Sequence, residues 1–301
     1  MDPSKFPTLD PELAPMLEVL PDVSQGMTDI AAARELMALM IPSGPVPGEE
    51  ALEIEDVTHE GVPLRVYRPA SPTSGAGVLY LHGGGFCLGS IDSEHAGAVQ
   101  IALALDVVVV SVDYRLAPEH PYPAGLEDCY AGLQYLSTLV DRIAVHGQSA
   151  GGGLAAATVL LARDRGGPQV AFQSLGMPEV DDRLETPSMQ QFVDTPLWSR
   201  PQAVKSWEYY LGGKPADGYA APARAIDLSG LPPAHVTVME LDPLRDEGID
   251  YATRMLQAGV SVELHAYPGT FHGSSLVVDA AVSKRQTEDL LGALRRGLAL
   301  P

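Results

Sequence analysis

Cysteine is nearly absent from this sequence, with Cys87 and Cys129 the only two in 301 residues. A disulfide-stapled secreted scaffold needs more, so both are expected as reduced thiols in a cytoplasmic protein. Positive charge is also scarce. Lys and Arg number 19 against 39 Asp and Glu, a formal net charge of −20, and the basic residues are scattered. A phosphate-binding surface requires a basic patch, so neither nucleic acid nor a membrane surface is expected as a partner. Long apolar runs are missing too. The stretch around Ile30–Ile41 is interrupted by Arg34 and Glu35, well short of the roughly 18 apolar residues of a membrane span. Met1-Asp2-Pro3-Ser4-Lys5-Phe6-Pro7 has no basic region followed by an apolar one, so no signal peptide is expected. No His-Glu-x-x-His and no cysteine pair at zinc spacing occurs, so neither a metal nor an organic cofactor is expected.

Hydrophobic residues make up 46% of the chain, enough to bury a sizeable core. Up to about Pro47 there are two helical patterns. The second carries Ile30, Leu36, Met37 and Met40, and Pro42, Pro45 and Pro47 should end it. Strand-like segments follow at Leu52–Thr58 and Pro63–Tyr67, with Gly61-Val62 between them as a hairpin turn. Short, largely β-branched runs then recur at Gly77–Leu81, Val107–Val112, Ile143–Val145 and Val236–Met239. Such runs suit strands buried on both faces of a parallel sheet. Helical patterns lie between them at Ala96–Leu105, Gly125–Leu139, Gly151–Arg165 and Gly248–Ala258. This alternation predicts an α/β architecture. The aromatic, proline-punctuated segment from about Asp181 to Tyr219 breaks it, and reads as either a lid over a cleft or a packed connector.

Two glycine-rich motifs carry chemistry. Ile143-Ala144-Val145 runs into His146-Gly147-Gln148-Ser149-Ala150-Gly151, a strand, then Gly-x-Ser-x-Gly, then a helical pattern. A serine on so tight a turn projects its hydroxyl above the sheet edge, and a helix starting at Ala150 aims its positive end at a developing oxyanion. The second motif is His82-Gly83-Gly84-Gly85-Phe86, which follows a strand. Glycines there let backbone N–H groups approach a carbonyl oxygen, each donor being worth roughly 3–4 kcal/mol in comparable enzymes. No Lys-Ser/Thr follows it, which argues against a phosphate cradle. His82 reads as a structural residue that pins the loop.

A serine hydroxyl needs a base. Only His235, His265 and His272 follow Ser149, and His272 alone lies in a loop after the last strand pattern, where such sheets place catalytic groups. Asp242 stands at the end of the preceding strand. Asp246 and Glu247 fall in the next helix's first turn, where the dipole explains them. The expected set is therefore Ser149, His272 and Asp242, with activity rising as the imidazole loses its proton.

Together with Asp113-Tyr114-Arg115-Leu116-Ala117-Pro118-Glu119-His120-Pro121-Tyr122-Pro123-Ala124, Asp242-Pro243-Leu244-Arg245-Asp246-Glu247-Gly248 and Phe271-His272-Gly273, these motifs closely resemble the hormone-sensitive-lipase family of esterases, the bacterial type IV group. The resemblance runs from about residue 50 to the C-terminus. It implies an α/β-hydrolase fold with a mostly parallel sheet of about eight strands and a helical cap. It divides the chain into N-terminal cap helices over 1–47, a catalytic domain over 48–180 and 220–301, and a cap insertion over 181–219. It implies an oxyanion hole of Gly83, Gly84, Gly85 and Ala150, with Gly83 shaping the loop. Arg115 and Glu119 are expected as a buried polar network behind the elbow. The family usually has Asp or Thr before the serine, where this chain has Gln148.

The implied activity is hydrolysis of small, short-acyl carboxylic esters through an acyl-enzyme. Amide, formamide or thioester cleavage on the same residues is the alternative, and a non-catalytic small-molecule receptor is a third. Phe86, Trp198, Met177, Phe192, Trp207 and Met189 are candidates to line the pocket or to be plain core. The last strand and helix could pair across a two-fold axis as a homodimer, and nothing in the sequence requires it.

Overall fold

Residues 1–20, 27–41, 44–70 and 74–301 are described by the structure, a computed structural model. The β-branched runs assemble into one sheet of eight strands: β1 (Leu52–His59), β2 (Val62–Pro69), β3 (Ala76–Leu81), β4 (Val108–Val112), β5 (Arg142–Gln148), β6 (Phe172–Gly176), β7 (Ala234–Leu241) and β8 (Val262–Phe271). The helices are α1 (Ala14–Val19), α2 (Ile30–Met40), α3 (His95–Leu105), α4 (Ala124–Ser137), α5 (Ala150–Arg165), α6 (Pro187–Gln191), α7 (Arg200–Leu211), α8 (Arg245–Gln257) and α9 (Ala281–Gly297). Strand order is β1-β2-β4-β3-β5-β6-β7-β8. The pairs β1–β2 and β2–β4 are antiparallel and every other pair is parallel. This is the α/β-hydrolase arrangement.

The sheet is covered on both sides. Leu79, Val110, Val145 and Val236 pack with α4, α5 and α8, while Val78, Tyr80, Val109 and Ala144 pack with α3 and α9. Strands β3, β4, β5 and β7 are buried along nearly their whole length, so they read as continuous apolar runs rather than alternating ones. The first hairpin turns on Glu60 and Gly61, whose φ values of 50° and 84° match the twist that two-residue hairpin loops require. Val62, read from sequence as part of the turn, already pairs with His59.

One strand was not legible. β6 carries Gln173 and Ser174, both buried, and so forms no apolar run. Gln173 Nε2 donates to Pro232 O at 3.1 Å. Ser174 Oγ lies 3.1 Å from His146 Nδ1 and 3.3 Å from His235 Nδ1. These bonds make the polar side chains tolerable at depth. Pro42, expected to stop the second helix, lies outside the described residues.

Arg115 and Glu119 correct an expectation. Arg115 pairs with Asp128 and its side chain is 52% exposed; Glu119 pairs with Arg34 and its side chain is 55% exposed. Arg115 and Glu119 are exposed while their partners are more buried, as is usual for long charged side chains. The segment around them still buttresses the site. Tyr114 donates its hydroxyl to His82 O at 2.8 Å and stacks on the His82 ring at 4.1 Å.

The N-terminal segment closes over the carboxyl ends of the strands. Phe6, Leu13 and Leu17 share a cluster with Met177, Phe192 and Phe271. Met27 shares another with Met189 and Trp198. Among the described residues, no helix is long and apolar enough to cross a membrane.

Candidate active site

Strand β5 delivers Ser149 at its carboxyl end, and α5 begins one residue later. The Ser149 backbone has φ 57° and ψ −125°, a strained conformation for a residue with a Cβ. Neighbours hold it there. Its N–H donates to Gly176 O at 2.8 Å, and its carbonyl accepts from Gly153 at 3.0 Å and Glu179 at 3.1 Å. The turn is so tight that a Cβ on Gly151 would stand 2.1 Å from Leu81 O, which explains glycine there.

The chain brings back two more residues over long separations. His272 Nε2 lies 2.9 Å from Ser149 Oγ, 123 positions away. His272 Nδ1 lies 2.7 Å from Asp242 Oδ2, and the other Asp242 oxygen accepts the Leu244 N–H at 2.9 Å. Asp242 is fully buried, and Ser149 and His272 are each 8% exposed. An ionised Asp242 can only accept, so the network assigns the imidazole proton to Nδ1. That leaves the Nε2 lone pair facing the serine hydroxyl, able to take its proton.

The glycine loop lies alongside. No hydrogen bond among the described residues engages the N–H groups of Gly84, Gly85 or Ala150. Gly83 is different: its N–H is already given to Glu94 Oε1 at 2.7 Å. Gly83 therefore shapes the loop instead of donating to a ligand. Glu94 also accepts from Tyr80 at 2.7 Å, and burial raises its carboxyl above the ordinary value. Gly84 has φ 120°, and a Cβ there would come within 2.2 Å of Leu88 O. His82 is no rival base. It is buried, its Nδ1 lies 2.8 Å from Gly83 O, and burial lowers its pKa to about 4.

The pocket candidates divide. Trp198 lies against Gly85, and its ring is 5.8 Å from that of His272. Phe86 stacks on Tyr210 at 4.0 Å and meets Trp207 at 5.3 Å, and all three sit in the main core. Met177 and Phe192 pack against the N-terminal segment. Met189 is fully buried beside Trp198. Gln148 lines a small cavity together with His146, Ser174, His235 and Met239.

Three residues at the site were not found from sequence: Glu94, Glu179 and Ser206. Ser206 Oγ donates to Gly85 O at 3.0 Å. None sits in a glycine motif, and the only sequence signal was a carboxylate within a mostly apolar stretch, as at Pro178-Glu179-Val180.

A family model described as alpha/beta hydrolase fold matches residues 78–276. Carboxylesterase NlhH of Mycobacterium tuberculosis is 39% identical, the match covering 97% of this chain and 97% of that protein. Esterase LipI of the same species is 37% identical over 89% of this chain and 88% of its own length. A solved structure named Bacterial Heroin Esterase superposes with a TM-score of 0.92 at 49% identity, covering 98% of this chain and 99% of its own.

Proposed function

Because the chain belongs to the alpha/beta hydrolase fold family, as a carboxylic ester hydrolase of the hormone-sensitive-lipase type, we propose that Ser149, His272 and Asp242 form its catalytic triad. The observation that carries this reading is the unbroken chain of contacts from Ser149 Oγ through His272 to Asp242, at 2.9 and 2.7 Å.

Ser149 Oγ attacks the ester carbonyl carbon while His272 Nε2 takes its proton. The carbonyl oxygen gains negative charge and accepts from the Gly84, Gly85 and Ala150 N–H groups, at the positive end of α5. Asp242 holds the imidazolium without taking a proton. The C–O bond to the alcohol breaks, and the alcohol leaves with the proton from His272. Water then attacks the acyl-enzyme, gives a proton to Nε2 and releases the acid. The described residues of 1–47, together with 181–219, form the cap, with Trp198 as its inner wall. A wall that close to the histidine favours small, short-acyl esters.

The test is a series of p-nitrophenyl esters from acetate to decanoate. Wild type should be fastest on the shorter chains, and Ser149→Ala should lose turnover by roughly 10⁴-fold or more. Retained turnover in the variant would refute the assignment. A long-chain optimum would refute the short-acyl reading alone.

A further inference from the structure

Beneath the site lies a carboxyl group that the proposed mechanism does not use. Glu179 follows β6 and is fully buried. Its N–H binds Ser149 O at 3.1 Å, and α5 presses so closely that a Cβ on Gly153 would stand 2.1 Å from Glu179 O. Neither carboxyl oxygen has a partner of full hydrogen-bond geometry. The hydroxyl beside it is that of Ser206, on α7. Ser206 is itself fully buried, and its one proton goes to Gly85 O at 3.0 Å.

Counting protons settles what can pass between the two side chains. A hydroxyl has one hydrogen. Since Ser206 spends it on Gly85, a bond between Ser206 and Glu179 needs a hydrogen on the carboxyl. The surroundings favour that form. The titratable groups facing Glu179 are Asp242 after β7, Glu247 on α8, Cys87 on the glycine loop and Tyr210 on α7, all acidic types. Burial first, with the Asp242 charge adding a smaller rise, outweighs the lowering by the neighbouring Ser206 hydroxyl and pushes the Glu179 pKa up to about 8.

The geometry points to Glu179 as a positioning residue: a neutral carboxylic acid that donates to Ser206 Oγ and, through Ser206, fixes Gly85 in the oxyanion loop. The Gly85 carbonyl is one peptide unit on from the Gly85 N–H, so holding the carbonyl limits rotation of the donor. The chain Glu179, Ser206, Gly85 also ties α7 to the loop that stabilises the transition state. The inference rests on the proposed role of Gly85 as a donor.

The experiment compares Glu179→Ala, Glu179→Gln and Ser206→Ala, with the double variant Glu179→Ala/Ser206→Ala, in the full chain on p-nitrophenyl acetate. The two single Ala variants should each lower kcat roughly 10- to 100-fold with KM within about threefold. The double variant should be no worse than the poorer single one, since one chain of bonds is broken twice. Glu179→Gln should recover most of the loss, because its amide N–H can donate to Ser206 as the acid does. Wild-type kcat should fall as pH rises through the Glu179 ionisation near 8, and Glu179→Gln should lack that alkaline limb. If Glu179→Ala does not fold, Ser206→Ala and Glu179→Gln still decide. A kcat within about twofold of wild type in Ser206→Ala, or an unchanged alkaline limb in Glu179→Gln, overturns the inference. Turnover in Ser149→Ala would instead overturn the triad reading, so the two failures are distinguishable.

Discussion

Asp242 divides its carboxylate between two donors, His272 Nδ1 at 2.7 Å and the Leu244 N–H at 2.9 Å. The second bond stops the carboxylate from rotating, so the first can fix one imidazole tautomer. Replacing Asp242 by Asn keeps the shape and removes the charge. The Leu244 N–H holds the amide oxygen, which turns the NH₂ toward Nδ1. That face of the ring must then become an acceptor, the proton moves to Nε2, and the base can no longer receive from Ser149. Asp242→Asn is therefore expected to lower kcat by roughly 10³- to 10⁴-fold with little change in KM. Steady-state kinetics on a p-nitrophenyl ester measure both, and a loss under about tenfold would show that Asp242 does not set the tautomer.

At the scale of elements, α2 is held more by hydrogen bonds than by burial. Leu39 is 83% exposed and Leu36 37%, so the helix offers little apolar surface to the body. Arg34 compensates. Its Nε donates to Cys87 O, one terminal nitrogen to Ala117 O and Glu119, and the other to Glu119, all at 2.9–3.0 Å. The planar fork matches that set of acceptors and an ammonium does not. Arg34→Ala should release residues 27–41, read as at least tenfold faster proteolysis or amide exchange there, with the global melt moving only a few degrees. Arg34→Lys should behave like the Ala variant, and full protection in either would show that packing holds the helix. Sequence could not reveal this clamp, because half of its bonds go to backbone carbonyls that any residue supplies. The same distinction separates what was legible elsewhere. Strands β3, β4, β5 and β7 announced themselves through β-branched runs, and Ser149, Asp242 and His272 through motifs whose glycines and chain order the geometry requires. β6 stayed hidden because Gln173 and Ser174 find buried partners on other strands. Glu94 and Ser206 gain their roles only when folding sets them against loop backbone, and the motif that holds Arg115 and Glu119 fixes their place in the chain but not their exposure.

Over the whole molecule, buried histidines and buried carboxyls pull stability in opposite directions with pH. Burial holds His82, His146 and His235 at about 4, below the ordinary 6.5. The unfolded chain binds their protons more tightly, so the stability they contribute is full above 6.5 and is lost as pH falls toward 4. Each adds a slope of up to about 1.4 kcal/mol per pH unit in that window. Burial raises Glu94, Glu179 and Glu247 above the ordinary 4.5, Glu179 to about 8. These hold protons in the folded chain that the unfolded chain has released, so stability falls as pH rises from 4.5 toward 8. Between 4.5 and 6.5 the buried carboxyls oppose the histidines, and the curve should be shallow. Below 4.5 the buried carboxyls no longer oppose, the histidines still charge on unfolding, and paired carboxylates such as Glu119, held at about 2 by Arg34, begin to lose their pairs on protonation. Above 6.5 the histidines are silent and the carboxyls act alone. Melting temperature measured from pH 3.5 to 9 should therefore peak between about 4.5 and 6.5 and fall on both sides. A maximum at pH 8 or above would mean that the three carboxyls are not held neutral inside the fold.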